Sequence, residues 1–313
     1  MTQPIAIVFP GQGSQSIGMS RALAEAFPLV RHTYQEASDA LGLDLWKLVD
    51  EGPAEDLNRT ENTQPAMLTA GVAVWRVWKA QGGADPLVMA GHSLGEYSAL
   101  VAGGALPLAR AVTLVADRGR YMQNAVPEGE GAMAAILGLD DDQVRELCRA
   151  AAGDEVVEAV NFNAPGQVVI AGRRAAVERA MALAKEKGAK RALPLPVSVP
   201  SHSSLMEPAA KRLAARLDAE ELEVPRIPVL HNVDVAPAAT LADLVQKLVA
   251  QLHNPVRWVE TIQAMPGRGV EKVLEFGPGK VLTGLGKRID KQLDHLPVFD
   301  PASLEKALEA SHV

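Results

Sequence analysis

PLVMAGHSLGEYSALVAGGA (residues 86–105) sets a short apolar run ahead of Gly91, His92, Ser93, Leu94 and Gly95, and a helix-forming run behind them. A buried strand that turns at once into a helix brings backbone segments into close contact, which glycines on both sides of the turn permit. The central side chain is pushed out of such a turn, at the positive end of the following helix. Ser93 is therefore expected above the carboxyl edge of a sheet. Gly-x-Ser-x-Gly also arises by chance; a strand before it and a helix after it distinguish a nucleophile turn from an accident.

Outward from this turn, PIAIVFP (4–10) reads as a second apolar strand, followed by a glycine turn and an amphipathic segment from Ser16 to about Phe27. Strand, turn and helix make the first unit of an α/β fold. Helical patterning then runs through Trp78, with interruptions expected at Gly42, Gly52 and Pro65. Helices follow from Gly95 to about Asn124. From Gly131 the order becomes strand (AMAAILG), helix, strand (VVEAVNFN), strand (QVVIAG), helix, strand (AKRALPLPV). That βαββαβ order is the ferredoxin-like motif. IPVLHNV (227–233) and VEKVLEFG (270–277) return to apolar strands. The predicted architecture is α/β. A hydrolase-like large domain with a mainly parallel sheet (1–126 and 198–313) carries an inserted small ferredoxin-like domain (127–197).

The 313 residues are 48% hydrophobic and 22% charged, an ordinary globular composition able to bury a full core. Acidic and basic residues are interspersed around a net charge of −7, with no basic stripe carrying aromatics, so no nucleic-acid partner is expected. Cys148 is the single cysteine, which rules out an internal disulfide or a cysteine metal site and fits a reducing compartment. The opening MTQPIAIVFPGQG lacks the basic and apolar regions of a secretory signal, and no apolar run reaches the length of a membrane span. A cytoplasmic protein with no membrane partner is the expectation.

A serine hydroxyl needs a base within hydrogen-bond reach. Among the seven histidines, His202 lies in VSVPSHSSLM, a loop at the junction of the two predicted domains and just ahead of a helix beginning near Ser203. His92 adjoins Ser93, but neighbouring side chains in such a turn diverge, which suits a structural part. Backbone N–H donors for a tetrahedral oxyanion are sought at Leu94, the residue after the nucleophile, and in GQGSQ (11–15), the loop after the first strand. Gly11 and Gly13 begin a dinucleotide fingerprint, but Ser16 stands where the third glycine belongs. FGPGKVLTG (276–284) likewise fails the phosphate-loop pattern.

In LPLARAVTLVADRGRYMQ an apolar stripe runs through Leu108, Val112, Val115, Gly119 and Met122, with Arg118 on its flank. A guanidinium turned toward a core keeps its proton and needs an anion. A buried glutamate would make Arg118 structural; a free carboxylate on a substrate's acyl group would serve equally, through a two-pronged bond. No Asp or Glu stands out after a strand between Ser93 and His202. This favours a Ser-His pair oriented by something other than a carboxylate, such as a backbone carbonyl.

With FPGQGSQ (9–15), ENTQPA (61–66), GHSLGEYSAL (91–100), RG (118–119), AVPEGEGAMAAILGL (125–139), VSVPSH (197–202), QLHNPVRW (251–258) and GPGKVLTGL (277–285), the chain resembles the malonyl-CoA:acyl carrier protein transacylases of bacterial fatty-acid synthesis. The resemblance implies Ser93 as acyl-accepting nucleophile, His202 as general base, and the N–H groups of Gln12 and Leu94 as oxyanion hole. It implies that Arg118 binds the malonyl carboxylate and that Gln64 and Gln251 line the site, Gln251 also giving a main-chain carbonyl to His202; His92 is placed with the substrate-binding residues. It further implies malonyl-CoA and a holo acyl carrier protein as partners, a monomer, and no metal or other cofactor beyond the phosphopantetheine borne by the partner. Lys187, Lys190, Arg191, Lys280, Lys287 and Arg288 are candidates for meeting an acidic carrier protein. Ser201 before His202 matches the stand-alone enzymes rather than the acyltransferase domains of modular polyketide synthases. Alternatives are a malonate decarboxylase or polyketide-line acyltransferase subunit, a serine thioesterase or lipase-like hydrolase, and a non-catalytic binding module.

Overall fold

In the computed structural model, residues 3–197 and 199–311 are described. The domain limits drawn at residues 1, 198 and 313 therefore fall on positions outside the described residues, as does His312. Strand β1 (Ile5–Phe9) leads through α1 (Arg21–Ala26), α2 (Pro28–Leu41), α3 (Leu45–Glu51) and α4 (Ala54–Leu57) to the long α5 (Thr60–Ala80). Then come β2 (Val88–Gly91), α6 (Gly95–Ala102) and α7 (Leu108–Gln123). The next segment is β3 (Gly131–Leu137), α8 (Asp141–Ala152), β4 (Val157–Ala164), β5 (Gln167–Arg173), α9 (Arg174–Glu186) and β6 (Arg191–Pro194). The chain closes with α10 (Glu207–Leu217), β7 (Val229–Leu230), α11 (Leu241–Gln251), α12 (Trp258–Gln263), β8 (Lys272–Phe276), α13 (Val281–Ile289), β9 (Asp294–Val298) and α14 (Pro301–Ser311).

The first sheet is parallel throughout, in the order β7-β2-β1-β8-β9. Helices cover both faces, and alternation along β1 shows it: Ile5, Ile7 and Phe9 enter one apolar cluster, Ala6 and Val8 another. The second sheet is antiparallel, in the order β4-β5-β3-β6, with α8 and α9 packed against one face around Ile136, Leu147, Phe162, Ile170 and Val177. This is the ferredoxin-like order expected for βαββαβ. Its β4 is tied to the rest of the molecule: Phe162 N–H donates to Val256 O (3.0 Å) and Val256 N–H to Val160 O (2.8 Å). Arg288 adds donors to Gln167 Oε1 and Pro165 O.

Four readings need correction. Pro65 does not interrupt α5; it sits early in the helix, where the N–H it lacks frees only a carbonyl of the first turn. The segment from Ser16 becomes helical only at Arg21, because Gly18 adopts φ 76°. IPVLHNV pairs only at Val229 and Leu230, since Pro228 has no N–H and His231 and Asn232 turn away toward Glu96. The helix expected from about Ser203 opens instead as a short 3₁₀ turn before α10 begins at Glu207. The edge strand β9 carries Asp294, His295 and Pro297 and lacks an apolar run that would announce it.

Candidate active site

Ser93 sits between β2 and α6 with φ 52°, a left-handed conformation that a non-glycine residue adopts at a cost of roughly 1–3 kcal/mol. The turn closes only because its glycines lack side chains. A Cβ on Gly91 would lie 1.8 Å from the carbonyl carbon of Gly95, and one on Gly95 would lie 2.0 Å from Phe9 O. Two bonds from one residue clamp the strained turn. Asn232 Oδ1 accepts from Ser93 N–H (2.8 Å) and Asn232 Nδ2 donates to Gly91 O (2.7 Å). Asn232 is held in turn by its own N–H on Glu96 Oε2 (2.9 Å), while Glu96 Oε1 meets His231 Nδ1 (2.6 Å). Asn232, Glu96 and His231 are fully buried. None of the three was singled out from sequence; a carboxylate in the first turn of the helix after the serine, at Glu96, was the available signal.

His202 Nε2 lies 2.8 Å from Ser93 Oγ, and His202 Nδ1 lies 2.7 Å from the main-chain oxygen of Gln251. A carbonyl only accepts, so Nδ1 carries the proton and Nε2 is the free base. His202, itself at φ 66°, is pinned by its N–H to Leu252 O (3.0 Å), and Glu158 of β4 anchors the next turn through Ser204 N and Oγ (2.7 and 2.9 Å). Burial, reinforced by the positive charge of Arg118, holds the His202 pKa down to about 3. The imidazole is thus neutral at physiological pH.

Arg118 is 1% exposed on α7. Its Nη1 donates to Gln64 Oε1 (2.7 Å), and its Nη2 donates to Gln251 Oε1 (2.9 Å) and, at 3.5 Å, toward Ser93 Oγ. Gly119 brings α7 against the start of α5, where a Cβ would meet Glu61 Cα and Thr60 O at 2.8 Å, so that Arg118 reaches Gln64. All three side-chain acceptors are neutral, two amides and a hydroxyl. Glu96, the carboxylate whose field reaches Arg118, is committed to His231 and Asn232, and Arg118 Nε has no partner among the described residues. Among the described residues this buried cation has no counter-anion, an arrangement that is costly unless an anion enters. Tyr97 lies beneath it, its ring centroid 5.4 Å from the guanidinium carbon, with burial pushing the phenol up to about 12. Gln251 ties the site together, since its Nε2 also donates to Ser93 O (2.9 Å).

Ser93, His202 and Arg118 open onto one cavity of about 250 Å³. Gln12, Gln64, His92 and Leu94 line it as well. Among the described residues, the N–H groups of Gln12 and Leu94 donate to no protein acceptor, as oxyanion donors must. His92 turns from Ser93 to Asn163, with Nε2 2.7 Å from Oδ1 and its ring edge-on to Trp258. FGPGKVLTG proves structural: Glu275 accepts from Leu282 N, Thr283 N and Thr283 Oγ1 and so fills the N-terminus of α13 with its own carboxylate. Among the described residues no group of three or more His, Cys, Asp or Glu is placed to hold a metal ion, and no helix is long and apolar enough to cross a membrane.

Residues 6–298 match the acyl transferase domain family. The malonyl CoA-acyl carrier protein transacylase of Salmonella typhimurium is 56% identical over 98% of this chain and 99% of its own. The Coxiella burnetii enzyme of the same name superposes with TM-score 0.98 at 49% identity, covering 100% of this chain and 99% of that one. A malonyl-transacylase solved in complex with its type II PKS acyl-carrier protein superposes with TM-score 0.97 at 55% identity, over 98% and 100% of the two chains. Such similarity along the whole length, on top of the geometry around Ser93, makes this chain an acyltransferase of the malonyl CoA-acyl carrier protein transacylase family.

Proposed function

We propose that this chain moves a malonyl group from malonyl-CoA to the phosphopantetheine thiol of an acyl carrier protein through a malonyl ester on Ser93. In the first half-reaction Ser93 Oγ attacks the thioester carbonyl as its proton passes to His202 Nε2. The oxyanion is met by the Gln12 and Leu94 N–H groups, the carbon–sulfur bond breaks, and the proton goes to the departing CoA sulfur. In the second, the carrier's thiol gives its proton to His202, its sulfur attacks the ester carbonyl, and the proton returns to Ser93 Oγ as the carbon–oxygen bond breaks. Gln251 O keeps the imidazole in the required tautomer where a hydrolase triad would use a carboxylate. The cycle uses no cofactor beyond the partner's phosphopantetheine.

The observation that carries this reading is Arg118: a buried guanidinium, bonded among the described residues only to neutral groups, in the cavity that holds Ser93 Oγ. It fits an acyl group ending in a carboxylate and has no use in an acetyl transferase or an apolar esterase. That the apolar cluster between the small sheet and α8 and α9 is separate from the one around α5 and α7 supports dividing the chain into a large domain (1–126 and 198–313) and a small one (127–197). Exposed Lys187, Lys190, Arg191, Lys280 and Lys287, with Arg288, are the basic residues proposed to receive an acidic carrier. A monomer acting in the cytoplasm completes the reading. The relative bound to a PKS carrier protein favours, as a second reading, service to a polyketide line. Malonyl-CoA is incubated with the enzyme, with and without holo carrier protein. Carrier-dependent consumption with malonyl-carrier as product is expected; rapid release of free malonate without the carrier would point to a hydrolase.

A further inference from the structure

His202 meets two constraints at once. Its backbone lies at φ 66°, where a non-glycine residue stays only if its surroundings force it, and its ring spans Ser93 Oγ and Gln251 O. One restraint is its own N–H on Leu252 O. The other lies just after it. Ser203 stands where a side-chain cap for the 3₁₀ turn Ser204–Met206 belongs, but its hydroxyl donates backward to Pro200 O (2.7 Å). The acceptor for that turn comes instead from 46 residues back in the chain, where Glu158 Oε2 accepts from Ser204 N–H (2.7 Å) and Oε1 from Ser204 Oγ (2.9 Å). A carboxylate that spends both oxygens on one residue fixes its orientation as well as its distance.

Glu158 belongs to the small sheet. Its neighbours Val157 and Ala159 pack into the cluster with α8 and α9, so Glu158 between them leaves β4 from the opposite face, its backbone held in register against Ala171 of β5. The same strand fixes the other side of the histidine. Val160 O and Phe162 N–H bond Val256, on the segment that follows Gln251 and Leu252, the two residues whose carbonyls hold His202. Strand β4 is therefore a common reference for the imidazole and for the carbonyls that orient it. Resting on the acyl-transfer reading above, we infer that Glu158 is a positioning residue for the general base, acting through Ser204 to keep His202 Nε2 on Ser93 Oγ. Glu158 and Ser204 are not among the residues that line the cavity. The loss of Glu158 therefore falls on proton transfer, which every acyl group shares, and spares substrate affinity and acyl choice.

Acylation of Ser93 is followed by rapid quench and intact mass over a range of malonyl-CoA and of acetyl-CoA concentrations, in the wild type, Glu158→Ala, Glu158→Gln and Ser204→Ala. Glu158→Ala is expected to lower the maximal rate about tenfold for both acyl groups, with the half-saturating concentrations unchanged. Glu158→Gln still offers an oxygen to Ser204 N–H and an N–H to Ser204 Oγ, and should return to within about threefold of the wild type. A Glu158→Ala enzyme that melts earlier yet acylates at the wild-type maximal rate overturns the inference and leaves Glu158 a structural cap. So does a loss confined to half-saturation, a changed malonyl-to-acetyl ratio, or no recovery in Glu158→Gln. Should Glu158→Ala fail to fold, Ser204→Ala decides, since it removes only the hydroxyl bond: a maximal rate about threefold lower supports the inference and an unchanged one overturns it. If the wild type takes no malonate on Ser93, the acyl-transfer reading itself fails, and this inference with it.

Discussion

On the proposal that Arg118 receives the malonyl carboxylate, Arg118→Ala removes the feature that separates malonyl transfer from transfer of uncharged acyl groups. In the structure the guanidinium presents several N–H groups beyond those taken by Gln64 and Gln251. A carboxylate received by two charge-assisted bonds is worth about 3 kcal/mol at the low end of the range for such bonds. That corresponds to roughly 150-fold in kcat/KM for malonyl-CoA. The substitution also leaves Gln64 Oε1 and Gln251 Oε1 without donors and opens a void beside α5, effects that fall on every acyl group alike. The ratio of malonyl-CoA to acetyl-CoA in enzyme acylation is therefore the quantity to measure, by rapid quench and intact mass. A collapse of that ratio by about two orders of magnitude is expected. Arg118→Lys keeps the charge without the fork and should fall between. Equal losses for both acyl groups would refute the reasoning and make Arg118 a structural cation.

The charge of Arg118 also bears on pH. Since it helps hold His202 down to about 3, the acid limb of kcat/KM should lie well below the ordinary histidine value, and Arg118→Ala should move that limb upward; a limb near 6.5 in the wild type would contradict this. The same shift sets a stability trend. Between 6.5 and about 3 the unfolded chain binds a proton at His202 that the folded one does not, so stability falls as pH falls through that window, by at most about 1.4 kcal/mol per pH unit; denaturant melts of His202→Gln should show a shallower slope. Asn232→Ala leaves Ser93 N–H and Gly91 O unmet, and should cost about 3 kcal/mol of stability and slow malonyl-serine formation at least tenfold; unchanged acylation would remove Asn232 from the positioning of the turn. Gly119→Ala forces α7 away from α5 at a cost of about 1–3 kcal/mol, and should lower the malonyl-to-acetyl ratio because Arg118 is carried off Gln64; a stability loss with an intact ratio would break that link.

What could be read beforehand was what lies close in sequence. GHSLG sits in one turn, and its glycines declare the backbone contact that the Gly91–Gly95 approach now explains. The βαββαβ order of the small sheet followed from periodicity, because each strand is bounded by turn residues. His202 and Arg118 were legible as residue types out of keeping with their surroundings, a loop histidine and a cation beside an apolar stripe. Asn232, Glu96 and His231 were not, since a buried polar network joins positions up to 141 residues apart and leaves no local pattern. Gln251 was placed only through resemblance, and its three simultaneous bonds to His202, Arg118 and Ser93 depend on how α11 docks.

All of this turns on whether the Ser93 hydroxyl carries the acyl group between donor and acceptor. Rapid mixing with malonyl-CoA, acid quench and peptide mapping by mass spectrometry reads that directly. The account predicts one malonyl increment, on the peptide containing Ser93, formed before any carrier protein is added, discharged on its addition, and absent from Ser93→Ala. An unmodified Ser93 peptide in an enzyme that still transfers malonate to the carrier, or an adduct at another residue, would contradict it.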